Sequence, residues 1–176
     1  MANTWTAIAT GVTFSTTTKS LLQLFNGGTR VLRVYRVWCI NANITGVAGV
    51  LPLVNLGIIT TAASGGSPTT ITPLAHDTTN TSLDTVTCNS GNTTVTGPTI
   101  LKRHRRDTDE FVISVLKPTN FFGLPNFAIY HDSGYGDTNI EPIVLPQNRG
   151  LVLYTPGIAS AAGNCDVIFE FTDSAS

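Results

Sequence analysis

The sequence is short of charge. Asp, Glu, Lys and Arg make up 12% of its 176 residues, and the net charge is -1. That is about half the usual share of charged residues. A charge content this low, with a net charge near zero, gives no general sign of nucleic-acid or membrane binding. It also gives a lone monomer little solubility, which favours a protein whose surface is covered by neighbouring subunits. An ordinary extracellular β-domain is the alternative that composition leaves open.

Long apolar runs are missing as well, and the opening stretch does not have the pattern of a leader. The sequence has no run of about 18 apolar residues, so we predict no transmembrane helix. Its opening stretch, MANTWTAIATG, has neither a charged n-region nor a long apolar h-region. We therefore expect no signal peptide, and synthesis and initial folding in the cytosol.

Cysteines are few. Cys39, Cys88 and Cys165 lie far apart, and their number is odd. This pattern is typical of buried thiols, with a bridge or a link between subunits as the alternative.

Catalytic and metal-binding patterns are lacking too. Two His-Asp pairs occur, at 76–77 and 131–132, but adjacent residues of an extended chain point to opposite faces and cannot easily chelate one ion. No nucleophile elbow of the G-x-S-x-G type accompanies the three histidines. We predict no metal, no cofactor and no enzymatic activity.

What the sequence has in quantity is Thr, Ser, Asn and Gly, beside a 41% apolar fraction. β-branched Thr suits strands, and Asn, Gly and Ser suit turns. A chain of this length is expected to form one domain with one core. It shows no internal repeat, which argues against a propeller or a solenoid.

The C-terminal part shows the strand pattern most clearly. Residues 140–145 and 151–154 are apolar runs on either side of the turn 146–150, where Asn and Gly accept positive φ. The second run is apolar throughout and should be covered on both faces. Residues 166–171 alternate, which indicates one face turned inward.

The longest strand pattern lies at residues 30–43, after a first strand at 19–25. Leu32, Val34, Trp38 and Ile40 share one face by simple alternation, so Trp38 is expected in the core. Arg36 interrupts the apolar pattern. It must reach an edge, a carboxylate or a bulge, because an unpaired buried charge is very costly.

Further strands are predicted at 50–61, 69–74, 93–101, 110–116 and 126–131. The weakly patterned stretch 75–91 is long enough to be a contact loop. With eight to ten strands and no helix, the fold class is all-β. We predict an antiparallel two-sheet sandwich of jelly-roll type, with an immunoglobulin-like sandwich as the alternative. The order of Trp38 and Cys39 does not suit the latter.

The first 18 residues are polar and rich in Thr. Their apolar residues, Trp5, Ile8, Val12 and Phe14, are too sparse to define an element. We predict an extended N-terminal arm over 1–18 that orders against the body or a neighbour, and a single domain over 19–176. Trp5 and Ile8 are its candidate partner contacts.

One charge cluster stands out in the sequence. It consists of Lys102, Arg103, His104, Arg105 and Arg106. We interpret it as a candidate contact for an acidic partner. The alternative is a solvated loop whose bases pair with the acids at 107, 109 and 110. We predict no nucleic-acid site, because the interleaved aromatics that stack bases are missing.

Several fragments together resemble the jelly-roll head decoration (cement) proteins of tailed bacteriophages. They are KSLLQL at 19–24 leading into RVLRV at 30–34, TPL at 72–74, EPIVL at 141–145, GLVL at 150–153 and FEF at 169–171. They span most of residues 19–171, but neither the basic cluster nor the stretch 75–91 belongs to the pattern.

The resemblance implies a non-enzymatic virion protein, assembled in the host cytoplasm, that binds the major capsid protein on the outside of the head, often as a homotrimer. Many copies would then multiply a modest contact. Two alternatives remain open: a jelly-roll protein of the phage tail or fibre, and a carbohydrate-binding module. The latter needs exposed aromatics that stack on sugars.

Overall fold

The computed structural model describes residues 3–42, 53–79, 82–105, 127–131, 141–158 and 163–174. These residues form twelve strands, and no helix occurs among them. The strands are β1 (Asn3–Thr13), β2 (Lys19–Asn26), β3 (Val31–Asn41), β4 (Leu53–Ile59), β5 (Thr69–Thr70), β6 (Leu74–Ala75), β7 (Val86–Ser90), β8 (Thr99–Arg105), β9 (Phe127–His131), β10 (Ile143–Leu145), β11 (Arg149–Thr155) and β12 (Asn164–Ser174).

The strands form two six-stranded antiparallel sheets. The first has the order β10-β3-β12-β1-β6, with β9 also paired to β3, and the second has the order β5-β7-β2-β11-β4-β8. Within them, β1-β12-β3-β9 faces β2-β11-β4-β8, and β1 to β4 alternate between the sheets. This is the strand order of a jelly roll. The predicted all-β jelly-roll sandwich is therefore confirmed, and the short β5, β6 and β10 take the strand count past ten.

The core lies between the two sheets. Its largest members include Phe169 and Phe171 on β12, Leu151 and Leu153 on β11, and Leu24 on β2, all less than 2% exposed. Each such side chain contributes roughly 1.5–3 kcal/mol by leaving water. On β12 buried and half-buried residues alternate over the whole strand, as predicted for one inward face.

β11 is buried on both faces, as its unbroken apolar pattern predicts. Every residue from Gly150 to Thr155 is buried. The turn before it contains Asn148 at φ 59°, which confirms the expected left-handed position.

A bulge in β3 explains how Arg36 fits into an apolar strand. β12 pairs Glu170 with Arg36 and Phe171 with Val34, so Tyr35 is an extra residue on the β3 side. The bulge reverses the alternation, and Arg36 Nη1 reaches Glu170 Oε2 at 2.9 Å. The same reversal turns Val37 inward and leaves Trp38 half-buried on the outer face. The expectation that Trp38 belongs to the core is wrong.

The predicted N-terminal arm is also wrong for residues 3–13. They form β1, which lies inside the first sheet between β12 and β6. Trp5, Ala7 and Ala9 are buried at alternate positions. The alternation is weak in the sequence because Asn3, Ala7 and Ala9, three of its inward residues, are polar or small. The predicted boundary at residue 18 therefore does not separate an arm from the domain.

β4 and β8 are neighbours in the second sheet although residues 60–98 separate them in sequence. We call residues 60–98 the excursion; all but 80 and 81 are described. It crosses to the far side of the sandwich, adding β5 and β7 beside β2 and β6 beside β1. It therefore extends both sheets. The predicted contact loop 75–91 lies within it and includes β7.

The excursion also covers the outer face of the second sheet. There Ile59, Val152 and Tyr154 form a second apolar cluster, with Val95 of the excursion packed against them. Of the other predicted strands, 126–131 is confirmed as β9, whereas 110–116 lies outside the described residues.

Candidate functional site

The basic cluster lies on a strand rather than in a loop. Lys102 to Arg105 belong to β8, whereas Arg106 lies outside the described residues, as do the neighbouring acids 107, 109 and 110. Among the described residues β8 pairs only with β4, so it forms an edge of the second sheet. Lys and Arg are common on edge strands because water reaches them there and they discourage uncontrolled pairing.

Residues 100–103 of this edge, which we call the β8 strip, are all exposed. Ile100 and Leu101 are 41% and 42% exposed, and Lys102 and Arg103 are also exposed. A bulge at Leu101 separates the apolar half from the basic half, since Leu56 pairs with Lys102 and Gly57 with Ile100. The strip therefore combines an apolar surface with two cations on a strand edge.

The two side chains that follow Lys102 point in opposite directions. Arg103 pairs with Asn55 across the strands, and its Nε donates to Asn55 Oδ1 at 3.2 Å. Asn55 is 2% exposed, so it anchors the guanidinium group on the outer face. His104 is half-buried opposite Val54, and its Nε2 has no hydrogen-bond partner among the described residues.

Two other arginines are held within the domain. Arg30 Nη1 lies 2.6 Å from Asp173 Oδ2, and Arg36 is bridged to Glu170. The Arg30 main-chain N–H also donates to Asp84 Oδ2 at 2.9 Å. Hydrogen bonds from the main chain of Arg30 and Thr85 lower the pKa of the Asp84 carboxyl. These charges link separate elements of the domain to one another.

The other two candidate contacts do not join the strip. Trp5 is 3% exposed in the core, and its Nε1 donates to Asp173 Oδ1 at 3.0 Å. It is a structural residue and not a partner contact, contrary to the prediction. Ile8 is 40% exposed on the outer face of the first sheet. β1 and β8 lie toward opposite edges of the sandwich, so Ile8 belongs to a different surface.

A buried polar network was not predicted from the sequence. Gln23 is fully buried; its Nε2 donates to Ala63 O and to Asn89 Oδ1, and its Oε1 accepts from the Ala63 N–H. Asn92 is also buried, and its Nδ2 donates to the same Ala63 oxygen while Ser20 Oγ donates to its Oδ1. This network ties the excursion to β2. Only the polar Gln23 within an apolar strand hinted at it.

The three cysteines are buried and none forms a disulfide. Burial raises the pKa of the Cys88 thiol to about 12. Hydrogen bonding to Cys39, together with burial, raises the pKa of Cys165. Because the thiolate is the reactive form, the Cys88 and Cys165 thiols are poor nucleophiles. The prediction of buried thiols is confirmed.

Within the described ranges, no group of three or more His, Cys, Asp or Glu side chains is placed to hold a metal ion. Nor does the described part of the chain contain a helix long and apolar enough to cross a membrane. Comparisons with protein-family models, with curated proteins and with solved structures found no match.

Proposed function

We propose that the chain is a non-enzymatic structural protein of a bacteriophage virion that binds the outside of the head as a decoration protein. Its contact with the major capsid protein is the β8 strip. The observation that carries the proposal is the exposed run of two apolar and two basic residues on an edge strand of a jelly roll with few charges.

Such a strip suits docking on an acidic protein surface. Leu101 and Ile100 supply apolar area that gains from being covered. Lys102 and Arg103 supply charge that selects an acidic partner and speeds the encounter. A contact of this size is weak for one copy, and many copies on one shell multiply it. A homotrimer, as the resemblance implies, would add to this effect.

The test is binding to empty expanded heads assembled from the major capsid protein of the same virus. Bound copies are measured by co-sedimentation and counted by electron cryomicroscopy. We expect saturable binding that weakens with added salt. Lys102→Glu and Arg103→Glu should each weaken it at least about tenfold.

The matched control is Arg149→Glu, which reverses one exposed cation outside the strip. It should bind like the unchanged protein. If the unchanged protein does not bind heads, the decoration assignment is wrong. If all three variants bind equally well, the assignment stands but the contact lies elsewhere.

A carbohydrate-binding module remains the second candidate, because Trp38 lies half-buried on the outer face of the first sheet. Two of the other aromatics that this reading needs, Trp5 and Tyr154, are 3% and 6% exposed and cannot stack on a sugar. Titration of tryptophan fluorescence with soluble polysaccharides separates the two candidates. A saturable shift that Trp38→Ala abolishes would favour the sugar-binding function.

A further inference from the structure

A groove runs along the edge of the first sheet, on the opposite side of the molecule from the β8 strip. Its volume is about 440 Å³. One wall is formed by residues 8–13 of β1. The other is formed by Ser67, Thr69 and Ile71 together with Ser90 and Gly91, which belong to the excursion. Lys19 completes the lining.

The β1 edge inside this groove is open. β6 covers β1 only at Trp5 and Thr6, and the His76 N–H donates to Thr4 O at 2.8 Å just beyond it. Main-chain groups of alternate residues point to the same side of a strand. Ile8 and Thr10 therefore direct their N–H and C=O groups to the side of β6, into the groove. They have no main-chain partner there among the described residues.

A bulge sets the length of the open edge. Ala9 pairs with Val167 and Val12 with Cys165, so Thr10 and Gly11 together oppose Asp166. Gly11 adopts φ 62°, and its N–H donates to Asp166 Oδ1 at 2.7 Å. The bulge ends the regular edge after Thr10. An incoming strand therefore finds a short run of regular main chain, followed by a roomier end beside Lys19.

We propose that this groove is a docking site for an extended segment of another protein, which adds to the first sheet as a strand in line with β6 and antiparallel to β1. Unpaired N–H and C=O groups at strand spacing are matched by another polypeptide main chain. The segment would also lie beside Leu74 and Ile8, which are 64% and 40% exposed on the adjoining outer face. By covering these two side chains, the segment would remove their apolar area from water.

A second copy of this chain does not fit as the occupant. Two β1 strands paired about Ile8 and Thr10 would run antiparallel. The end of one strand, at Val12 to Phe14, would then meet the line that β6 already occupies in the other copy. The occupant is therefore a segment of a different protein.

Lys19 indicates the charge of that segment. Its Nζ donates to Thr13 O at 3.0 Å and to Thr13 Oγ1 at 2.8 Å, which uses two of its three donors. Among the described residues that line the groove, Lys19 alone is charged. A carboxylate in the first part of the segment meets this ammonium group, since an antiparallel strand enters at the Thr13 end.

The probe is a synthetic hexapeptide of one aspartate followed by alternating threonine and valine, capped at both ends. Amide hydrogen exchange is measured by NMR with and without the peptide. We expect exchange of the Ile8 amide to slow by about fivefold or more at saturation, as for one net hydrogen bond, and the Thr10 amide to follow. The control is the same peptide N-methylated at alternate positions, which cannot donate along the ladder.

Two results would overturn the proposal. One is unchanged exchange of the Ile8 and Thr10 amides up to millimolar peptide. The other is equal protection by the N-methylated peptide, because it would indicate side-chain contact without strand pairing.

A pair of variants tests the same point from the protein side. Ile8→Pro removes the N–H that points into the groove and leaves the ladder to β12 intact, whereas Ile8→Val keeps it. The proline variant should lose peptide binding and the valine variant retain it, with both folds checked by circular dichroism.

Lys19→Gln should weaken binding of the aspartate peptide by about threefold and leave binding of an asparagine version unchanged. If the unchanged protein binds both peptides equally well, the segment has no preference for an acidic residue. Head binding through the β8 strip is a separate readout, so either proposal can fail without the other.

Discussion

The two outer faces of the sandwich differ in how far the rest of the chain covers them. On the second sheet, Val152 and Ile59 point outward and are 0% exposed, because the excursion lies over them. On the first sheet the corresponding outward residues stay in contact with water: Ile8 is 40% exposed, and Ile168 is half-buried. One sheet is therefore the middle layer of a local three-layer arrangement, whereas the other presents its outer face to solvent or to a partner.

The difference shows what an unbroken apolar strand requires. β11 has apolar side chains on both faces, and leaving its outer face in water would forfeit roughly 1.5–3 kcal/mol per large residue. The excursion removes that loss, and the Gln23 network holds the cover in place through Ala63. β12 alternates and needs no cover.

The largest expected effect compares a charge on each outer face. Val152→Asp places a carboxylate under the excursion without a partner, and we expect it to lower the free energy of unfolding by about 4 kcal/mol or more. Ile8→Asp places the same group at an exposed position and should cost less than about 1 kcal/mol. Urea unfolding of both variants measures the gap. Similar losses would show that the two faces do not differ in burial.

The next effect concerns the polar anchor of the cover. Gln23→Met keeps the size of the side chain but leaves the Ala63 N–H and Asn89 Oδ1 without their partner. We expect a loss of about 2–3 kcal/mol, because buried groups are left unsatisfied. Thermal and urea unfolding report it, and proteolysis within 60–98 should become faster. A loss below about 0.5 kcal/mol would mean that apolar contact alone holds the cover.

A smaller effect tests how closely the cover side of β11 is packed. A Cβ at Gly150 would lie 2.7 Å from Phe25 Cδ2 and 2.9 Å from Leu24 O. Gly150→Ala should therefore cost about 1–3 kcal/mol through overpacking. The control is Gly27→Ala, whose Cβ would lie 3.4 Å from Thr85 Cγ2. This variant should change the free energy of unfolding by less than about 0.5 kcal/mol. Equal melting temperatures for the two variants would contradict the close packing.

The smallest effect is a pH dependence at the far end of the excursion. The pKa of Asp84 is lowered in the folded protein by hydrogen bonds from the main chain of Arg30 and Thr85. Its contribution is therefore complete above the pKa of an unfolded aspartate, and is lost as the pH falls below about 4 through the folded value. Asp84→Asn should flatten the decline of stability in that window. An unchanged acid slope would assign the decline to other carboxylates.

The sequence predicts the sandwich well because its strongest patterns are those of buried strands. The unbroken run at 151–154 and the alternation at 166–171 become β11 and β12, the strands at the centre of the two sheets. Arg36 was correctly expected to need a carboxylate or a bulge, and it has both. Such patterns can be recognised in the sequence because the residue type at each position depends mainly on whether its side chain is exposed to water.

What the sequence did not reveal depends on contacts between distant residues. The sequence predicts an arm in place of β1 because Ala7 and Ala9, two of its inward residues, are too small to give a clear apolar pattern. The Tyr35 bulge, which reverses the face of Trp38, is visible only in the pairing with β12. The sequence predicts a charged segment between strands at residues 102–105, because no local pattern indicates that β8 continues through them as an edge strand. The open edge of β1 depends on where β6 ends, and so could not be predicted either.

The pairing of Asn3 with Asp173 has a consequence for the order of folding. The first strand of the first sheet can complete its ladder only after the last strand has been synthesised, so a nascent chain on the ribosome holds β1 without its main partner. Closing so long a loop is slow compared with forming hairpins. The second sheet, whose last strand is β11, contains every partner it needs before β12 emerges. Before β12 emerges, the chain can pair β2, β11 and β4 but still lacks the side of the core that Phe169 and Phe171 supply.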